Sequence, residues 1–152
     1  AVAEAQVVVL ATPWTAAQDA IRSAGDLTGK TLVDCTNPIE DGGLAVGHTT
    51  SAAEQIARWA GRASVVKAFN MTGAGNMANP EYGEDRATMF IAGDDDRTKT
   101  TVSDLAKQLG FDVIDAGPLQ AARYLEPLAM LWINLAYGQR MGSNIAFRLM
   151  RR

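Results

Sequence analysis

The sequence has little that could crosslink the chain or hold a metal. Cys35 is the single cysteine and His48 the single histidine among 152 residues. An internal disulfide and a structural zinc site built from cysteine and histidine are therefore excluded. A chain of this length buries roughly 68–70% of the surface that its unfolded form exposes, so it needs neither to fold. One unpaired cysteine predicts a reducing, intracellular compartment.

Long apolar runs and clustered positive charge are also missing. No stretch approaches the ~18 apolar residues of a membrane-spanning helix, and the first residues lack the basic and apolar regions of a signal peptide. The net charge is −3, and the basic residues are scattered except at Arg148, Arg151 and Arg152. The composition predicts a soluble cytoplasmic protein whose partners include neither nucleic acid nor membrane.

What is present is an alternation of short apolar runs with segments of helical character. The runs have the length and β-branched content of strands, and they cover residues 7–12, 31–35, 64–69, 87–92 and 111–115. Helices are predicted at residues 15–24, 51–60, 97–109 and 119–137. This alternation is typical of βαβ units and predicts an α/β fold, a Rossmann-like, mostly parallel sheet with helices on both faces.

The two ends of the chain carry the predictions about domains and assembly. The chain starts with alanine, and its first residues predict the end of a helix running directly into a strand. We therefore expect residues 1–118 to be the later part of a dinucleotide-binding domain whose N-terminal, phosphate-binding half is missing. Residues 119–152 are expected to form a helical extension packed on that domain or at a dimer interface. The last helix is apolar on nearly all sides, which favours a homodimer.

Polar or rigid residues follow the first two predicted strands. Thr12, Pro13 and Trp14 come after the first, and Asn37 and Pro38 after the second. Ligands of open α/β sheets bind beyond the carboxyl ends of the strands, where the asparagine amide could bind the carboxamide of a nicotinamide. The alternative is that the prolines only end strands, the tryptophan only packs, and the asparagine makes a turn. Both motifs at consecutive strand ends favour a nicotinamide site.

The loop at residues 70–77 follows the third predicted strand and contains two glycines, which would let backbone N–H groups approach a ligand. It lacks the third glycine of a dinucleotide-binding fingerprint, so we expect a substrate-side loop, with a flexible connection as the alternative. Asp94, Asp95 and Asp96 are expected to begin a helix rather than bind a metal. Cys35 is expected to be a small buried apolar group rather than a nucleophile.

No set of nucleophile, base and orienting group is evident at a useful spacing. Hydride transfer does not require one, because the cofactor carries the chemistry and the protein orients it. A dehydrogenase of hydroxy or keto acids would need a general acid, for which Lys67 is the only candidate on a strand. A third possibility is a non-catalytic Rossmann-like module for dimerisation or ligand binding.

Five motifs in order along the chain resemble the NADP-dependent oxidoreductases related to reductases of the deazaflavin coenzyme F420. The same motifs are similar to the cytosolic domain of six-transmembrane ferric reductases. They are VVVLATPW at 7–14, LVDCTNP at 32–38, SVVKAFN at 64–70, IAGDDDRTK at 91–99 and DAGPLQAAR at 115–123. The last helix, through Trp132, extends the resemblance to nearly the whole chain.

The resemblance implies hydride transfer between NADP and a small-molecule acceptor, a deazaflavin or flavin-like ring. NAD stays open as the alternative, and weak NADP binding is expected without a phosphate loop. It implies a nicotinamide side made of Thr12, Pro13, Trp14, Asn37 and Pro38. It implies an acceptor side made of Phe69, Asn70, Met71, Thr72, Gly117, Pro118 and Leu119.

Overall fold

The computed structural model describes residues 2–152, which alternate between strands and helices. In chain order the strands are β1 Val7–Leu10, β2 Thr31–Asp34, β3 Ile39–Glu40, β4 Gly43–Leu44, β5 Ser64–Lys67, β6 Glu81–Tyr82, β7 Asp85–Arg86, β8 Thr88–Gly93 and β9 Asp112–Asp115. The α-helices are α1 Trp14–Ala24, α2 Ala52–Ala60, α3 Gly75–Ala78, α4 Asp96–Gln108 and α5 Ala122–Ile133. A 3₁₀ turn, Leu119–Ala121, precedes α5, and a π-helical turn, Asn134–Gly138, follows it.

Five strands form the central sheet in the order β1-β2-β5-β8-β9. β1, β2 and β5 are parallel, with Leu10 opposite Asp34 and Asp34 opposite Lys67. β8 runs antiparallel to β5, and β9 is parallel to β8. The predicted α/β class with a mostly parallel sheet is confirmed. The reversal at β8 was not predicted; it follows from a connection whose only helix, α3, has a single turn, too short to carry the chain back across the sheet.

Helices cover both faces of the sheet, as expected. Alternating side chains of β2 point to opposite faces, so Leu32 packs with α1 and α2 while Val33 packs with α4. Every residue of β2 is buried, including the polar Thr31 and Asp34, because helices cover both faces of this strand. β1 is the outermost strand on one side of the sheet, and its Val9 is 55% exposed.

The predicted element boundaries differ from the observed ones by a few residues at most, apart from the last helix, which divides into three parts. The Asp94–Asp96 segment begins α4, where the side chain of Asp95 accepts a hydrogen bond from the backbone N–H of Thr98 at 2.8 Å. The two small hairpins, β3–β4 and β6–β7, were missed because two-residue strands carry no periodic signal. No helix within residues 2–152 is long and apolar enough to cross a bilayer.

Candidate functional site

The carboxyl ends of β1, β2 and β5 lie side by side at one edge of the sheet. Because these strands are parallel and in register at Leu10, Asp34 and Lys67, the residues that follow them share that edge. Thr12 and Asn37 therefore lie at the same edge, as predicted, and Asn70 joins them. We call the edge carrying Thr12, Asn37 and Asn70 the rim.

Two asparagine side chains link the ends of β2 and β5 at the rim by hydrogen bonds. The Asn37 Nδ2 donates to the backbone oxygen of Asn70 at 2.7 Å, and the Asn70 Nδ2 donates to Asn37 Oδ1 at 3.0 Å. The Asn70 Nδ2 also donates to the backbone oxygen of Leu125 in α5 at 3.0 Å. Asn70 is buried and Asn37 half-buried, so the pair forms a cross-strand clamp between the ends of β2 and β5.

Several buried polar atoms near the rim have no hydrogen-bond partner within residues 2–152. They are Thr12 Oγ1, Thr36 Oγ1 and Asn70 Oδ1. Buried polar atoms are usually paired, so a cluster of unpaired ones needs an explanation such as water or a ligand. Thr36 was not among the residues predicted for the nicotinamide side, although it lies within the LVDCTNP motif at 32–38.

An apolar cavity of about 390 Å³ opens beside the rim. Its lining combines strand ends, the following loop and α4: Val9, Ala11, Cys35, Phe69, Thr72, Ala74, Met77, Leu105 and Leu109. Burial raises the pKa of the Cys35 thiol to about 12, so the cysteine in this wall is protonated at neutral pH. This agrees with the expectation of a small apolar group.

Of the remaining residues predicted for the nicotinamide side, the half-buried Trp14 and the buried Pro38 have packing roles, and Pro13 is exposed. Trp14 begins α1 and stacks on Trp59 of α2, with ring centroids 5.3 Å apart and planes 26° from parallel. Pro13 immediately precedes α1, and Pro38 is buried. Pro13 and Trp14 thus lie next to Thr12 at the rim, but the stacked indole contacts α2.

The predicted acceptor side divides between two places. Phe69, whose φ is +60°, lies in the left-handed region that residues other than glycine rarely adopt. It lines the cavity, as does Thr72, whereas Met71 is 1% exposed and packs inside. Gly73 touches the ring of Trp132: a Cβ at this glycine would lie 2.9 Å from two ring carbons. Close packing, rather than access for a ligand, therefore requires glycine there.

The other predicted acceptor residues lie away from the rim, over the middle of the sheet. In the sheet register Asp115, the last residue of β9, pairs with Ile91 of β8, and Gly93 at the end of β8 pairs with Val66 inside β5. Gly117 follows β9 and accepts a hydrogen bond from the backbone N–H of Gly93 at 3.1 Å, so it lies level with the middle of β5. Leu119 packs in the core with Leu32 and Val65. The structure does not bring Gly117, Pro118 and Leu119 to the rim.

Sequence reasoning missed a buried cluster of charges directly beneath the rim. The Lys67 Nζ lies 3.0 Å from Asp34 Oδ2 and 3.0 Å from Glu126 Oε1, and all three side chains are at most 1% exposed. Charged residues inside apolar strands were a usable signal, because lysine and aspartate are almost never fully buried unless paired. Glu126 gave no such signal, since its partner is 59 positions away.

Three comparisons place the chain among known proteins. The sequence profile of the family described as "NADP oxidoreductase coenzyme F420-dependent" matches residues 1–38. The metalloreductase STEAP3 of Rattus norvegicus is 40% identical over 111 residues, and the match covers 71% of this chain. The F420-dependent NADP reductase of Methanothermobacter marburgensis is 33% identical over 148 residues, which cover 91% of this chain.

The solved structure of a putative F420-dependent NADP reductase from Arthrobacter sp. FB24 superimposes with a TM-score of 0.91 at 37% identity. The superposition covers 99% of this chain and 71% of that one. The chain spans 22% of the length of the rat metalloreductase and 66% of the length of the archaeal reductase.

Proposed function

The chain belongs to the family of NADP oxidoreductases dependent on coenzyme F420, and from this premise we propose that it is an NADP-dependent oxidoreductase. In this proposal the nicotinamide end of the cofactor binds at the rim. The hydride passes directly between the nicotinamide and a deazaflavin or flavin-like acceptor in the adjoining cavity.

One observation carries the proposal: the amide clamp lies at the rim, and residues close to it in the chain, Cys35, Phe69 and Thr72, line an apolar cavity. A nicotinamide combines a flat ring with a carboxamide that donates and accepts hydrogen bonds. The clamp uses one of the two N–H groups of Asn37 and one of the two lone pairs of its Oδ1. One donor and one acceptor remain on a half-buried side chain, which is the set that a carboxamide complements.

The cavity suits the ring portions of both reactants. Val9, Ala11 and Phe69 supply apolar walls, and Thr72 adds a hydroxyl whose oxygen accepts from the Asn76 Nδ2 at 2.7 Å. When bound, a reduced nicotinamide supplies the hydride. The residues of this chain orient the rings and exclude water, and holding two reactants at contact distance lowers a barrier by several kcal/mol, up to roughly 7–11 in well-oriented systems.

Lys67 does not fit the alternative of a hydroxy or keto acid dehydrogenase. Its side chain is completely buried between two carboxylates, so its ammonium does not reach the cavity as a general acid would have to. The proposal therefore assigns no proton transfer to this side chain.

The proposal is tested by titrating the protein with NADPH while following the fluorescence of its three tryptophans. Saturable binding is expected, and Asn37→Ala should weaken it about tenfold, the effect of losing one or two hydrogen bonds to the ligand. Asn144→Ala, at an exposed position, is the matched control and should bind like the parent. If NADPH gives no saturable change at millimolar concentration, the proposal fails.

The acceptor is identified by mixing NADPH and protein with coenzyme F420, FMN, FAD or a ferric complex and following the loss of NADPH absorbance. We expect turnover with a deazaflavin or a flavin. Turnover with the ferric complex alone would point instead to the chemistry that the name of the rat relative describes. Repeating the binding titration with NADH decides between the two nicotinamide cofactors.

We further propose that residues 119–152 extend the domain formed by residues 1–118 and that the chain forms a homodimer. Tyr124 and Leu131 are seven positions apart on α5 and both exposed, at 77% and 48%, so this helix presents an unpartnered apolar strip. Light scattering tests the dimer, and a monomer at micromolar concentration would contradict it. Cytoplasmic location stays a prediction.

A further inference from the structure

The charges beneath the rim form a closed hydrogen-bonding unit. The ammonium of Lys67 has three N–H donors and three acceptors: Asp34 Oδ2 at 3.0 Å, Glu126 Oε1 at 3.0 Å and the backbone oxygen of Thr36 at 2.5 Å. Its hydrogen-bonding capacity is thereby satisfied. A buried charge persists only with such complete pairing.

Glu126 extends this unit to a third element of structure. Its two carboxylate oxygens accept the backbone N–H groups of Ala52 and Ala53, at 2.9 and 3.1 Å, where α2 begins. The unit holds two carboxylates, Asp34 and Glu126, and one ammonium, Lys67. The positive, N-terminal end of α2 faces the Glu126 carboxylate and partly offsets the second negative charge. Burial raises the pKa of Glu126, while Lys67 and the two backbone N–H groups act in the opposite direction.

The unit is connected to both members of the asparagine clamp. On one side, Thr36 is held at its carbonyl by Lys67 and at its N–H by Asp34 Oδ1, at 2.8 Å, and Asn37 is the next residue. On the other side, Glu126 anchors α5 next to Leu125, whose carbonyl holds the Asn70 Nδ2.

We propose that Lys67, Asp34 and Glu126 are positioning residues that set the geometry of the Asn37–Asn70 clamp and, through it, the nicotinamide site. The effect of these residues on the nicotinamide site rests on the proposed function, whereas their effect on the clamp does not. None of the three side chains touches the cavity; each acts through the residue that it holds. A hydrophobic cluster could stabilise this region equally well, but it would not orient two backbone amides and a carbonyl.

The first test reads the clamp without any cofactor. In ¹⁵N-labelled protein, Lys67→Met should shift the side-chain amide resonances of Asn37 and Asn70 and speed their exchange with solvent. Val102→Ala is the control: Val102 is completely buried in α4 on the other face of the sheet, so its loss lowers stability without touching the unit. Glu126→Gln replaces Lys67→Met if the latter does not fold. Clamp resonances that stay unchanged, or that move equally in the control, overturn the proposal.

The second test is a double-mutant cycle on the Kd for NADPH. If Lys67 acts through Asn37, Lys67→Met should weaken binding about tenfold alone and less than about twofold in the Asn37→Ala background. Equal weakening in both backgrounds overturns the proposal. If the parent shows no saturable NADPH binding, the proposed function fails, while the amide measurement still decides whether the charged unit positions the clamp.

Discussion

Replacing Gly73 with alanine should destabilise the protein because the indole of Trp132 occupies the space that a Cβ needs. The new carbon would lie 2.9 Å from two ring carbons and 3.1 Å from the backbone oxygen of Ser143. The ring has little freedom to retreat, because its Nε1 donates to the backbone oxygen of Ile145 at 2.8 Å and Trp132 is 5% exposed.

The magnitude follows from the cost of overpacking, which is typically about 1–3 kcal/mol. If the ring moves by breaking its hydrogen bond, the net cost of that bond, ~1 kcal/mol, falls within the same range. Gly75→Ala in the same loop is the control, because a Cβ there meets nothing within 4 Å and its position in α3 favours alanine by up to about 1 kcal/mol.

Urea unfolding followed by tryptophan fluorescence measures both variants. Gly73→Ala should lower the free energy of unfolding by about 1–3 kcal/mol and change the native-state emission, because Trp132 is displaced. Gly75→Ala should be neutral or slightly stabilising. Equal stability of the two variants would show that the loop, and not the indole, yields to the added carbon, and would refute the reasoning.

Three further predictions concern charge, reactivity and helix capping. The Arg123 guanidinium, which forms two hydrogen bonds with Glu54, lowers the pKa of that carboxyl below its ordinary 4.5. Glu54→Gln should therefore lower the free energy of unfolding by up to ~1 kcal/mol at neutral pH. The difference between the variant and the parent should be constant above pH 4.5 and shrink as the pH falls further. A difference that grows on acidification would contradict this prediction. With its pKa near 12, Cys35 should react with iodoacetamide at least about a hundredfold more slowly in the native than in the unfolded protein, and comparable rates by mass spectrometry would contradict the burial. Asp95→Ala should lower stability by ~1 kcal/mol in a denaturant titration through loss of the α4 N-cap, whereas Asp104→Ala, a surface change within α4, should cost less.

The sequence predicted the fold well because its elements leave local signals. The adjacent Leu32 and Val33 of β2 are both apolar because helices cover both faces of the strand, and Asp95 marks the start of α4 because a carboxylate there satisfies a free backbone N–H. The shared edge of Thr12 and Asn37 could also be inferred, since the carboxyl ends of parallel neighbouring strands must lie together.

Other parts of the candidate site were not accessible in this way. Gly117 was assigned to the acceptor side, but the antiparallel β8 turns the chain after β9 back along the sheet, where Gly117 bonds to Gly93 level with the middle of β5. Trp14 adjoins Thr12 in the chain, yet its ring stacks on Trp59. Strand direction and side-chain stacking depend on how the connecting segments pack, and no short window of sequence records that.

The amino-acid sequence by itself determined the elements, their order and the polar groups available at the ends of the parallel strands, because periodicity, capping and turn preferences act over a few neighbouring residues. Only the tertiary structure decided that Lys67 meets Asp34 and Glu126 beneath those ends. Such a meeting depends on the simultaneous placement of β2, β5 and α5, and burial then makes the pairing obligatory, since an isolated charge cannot leave water without its partner.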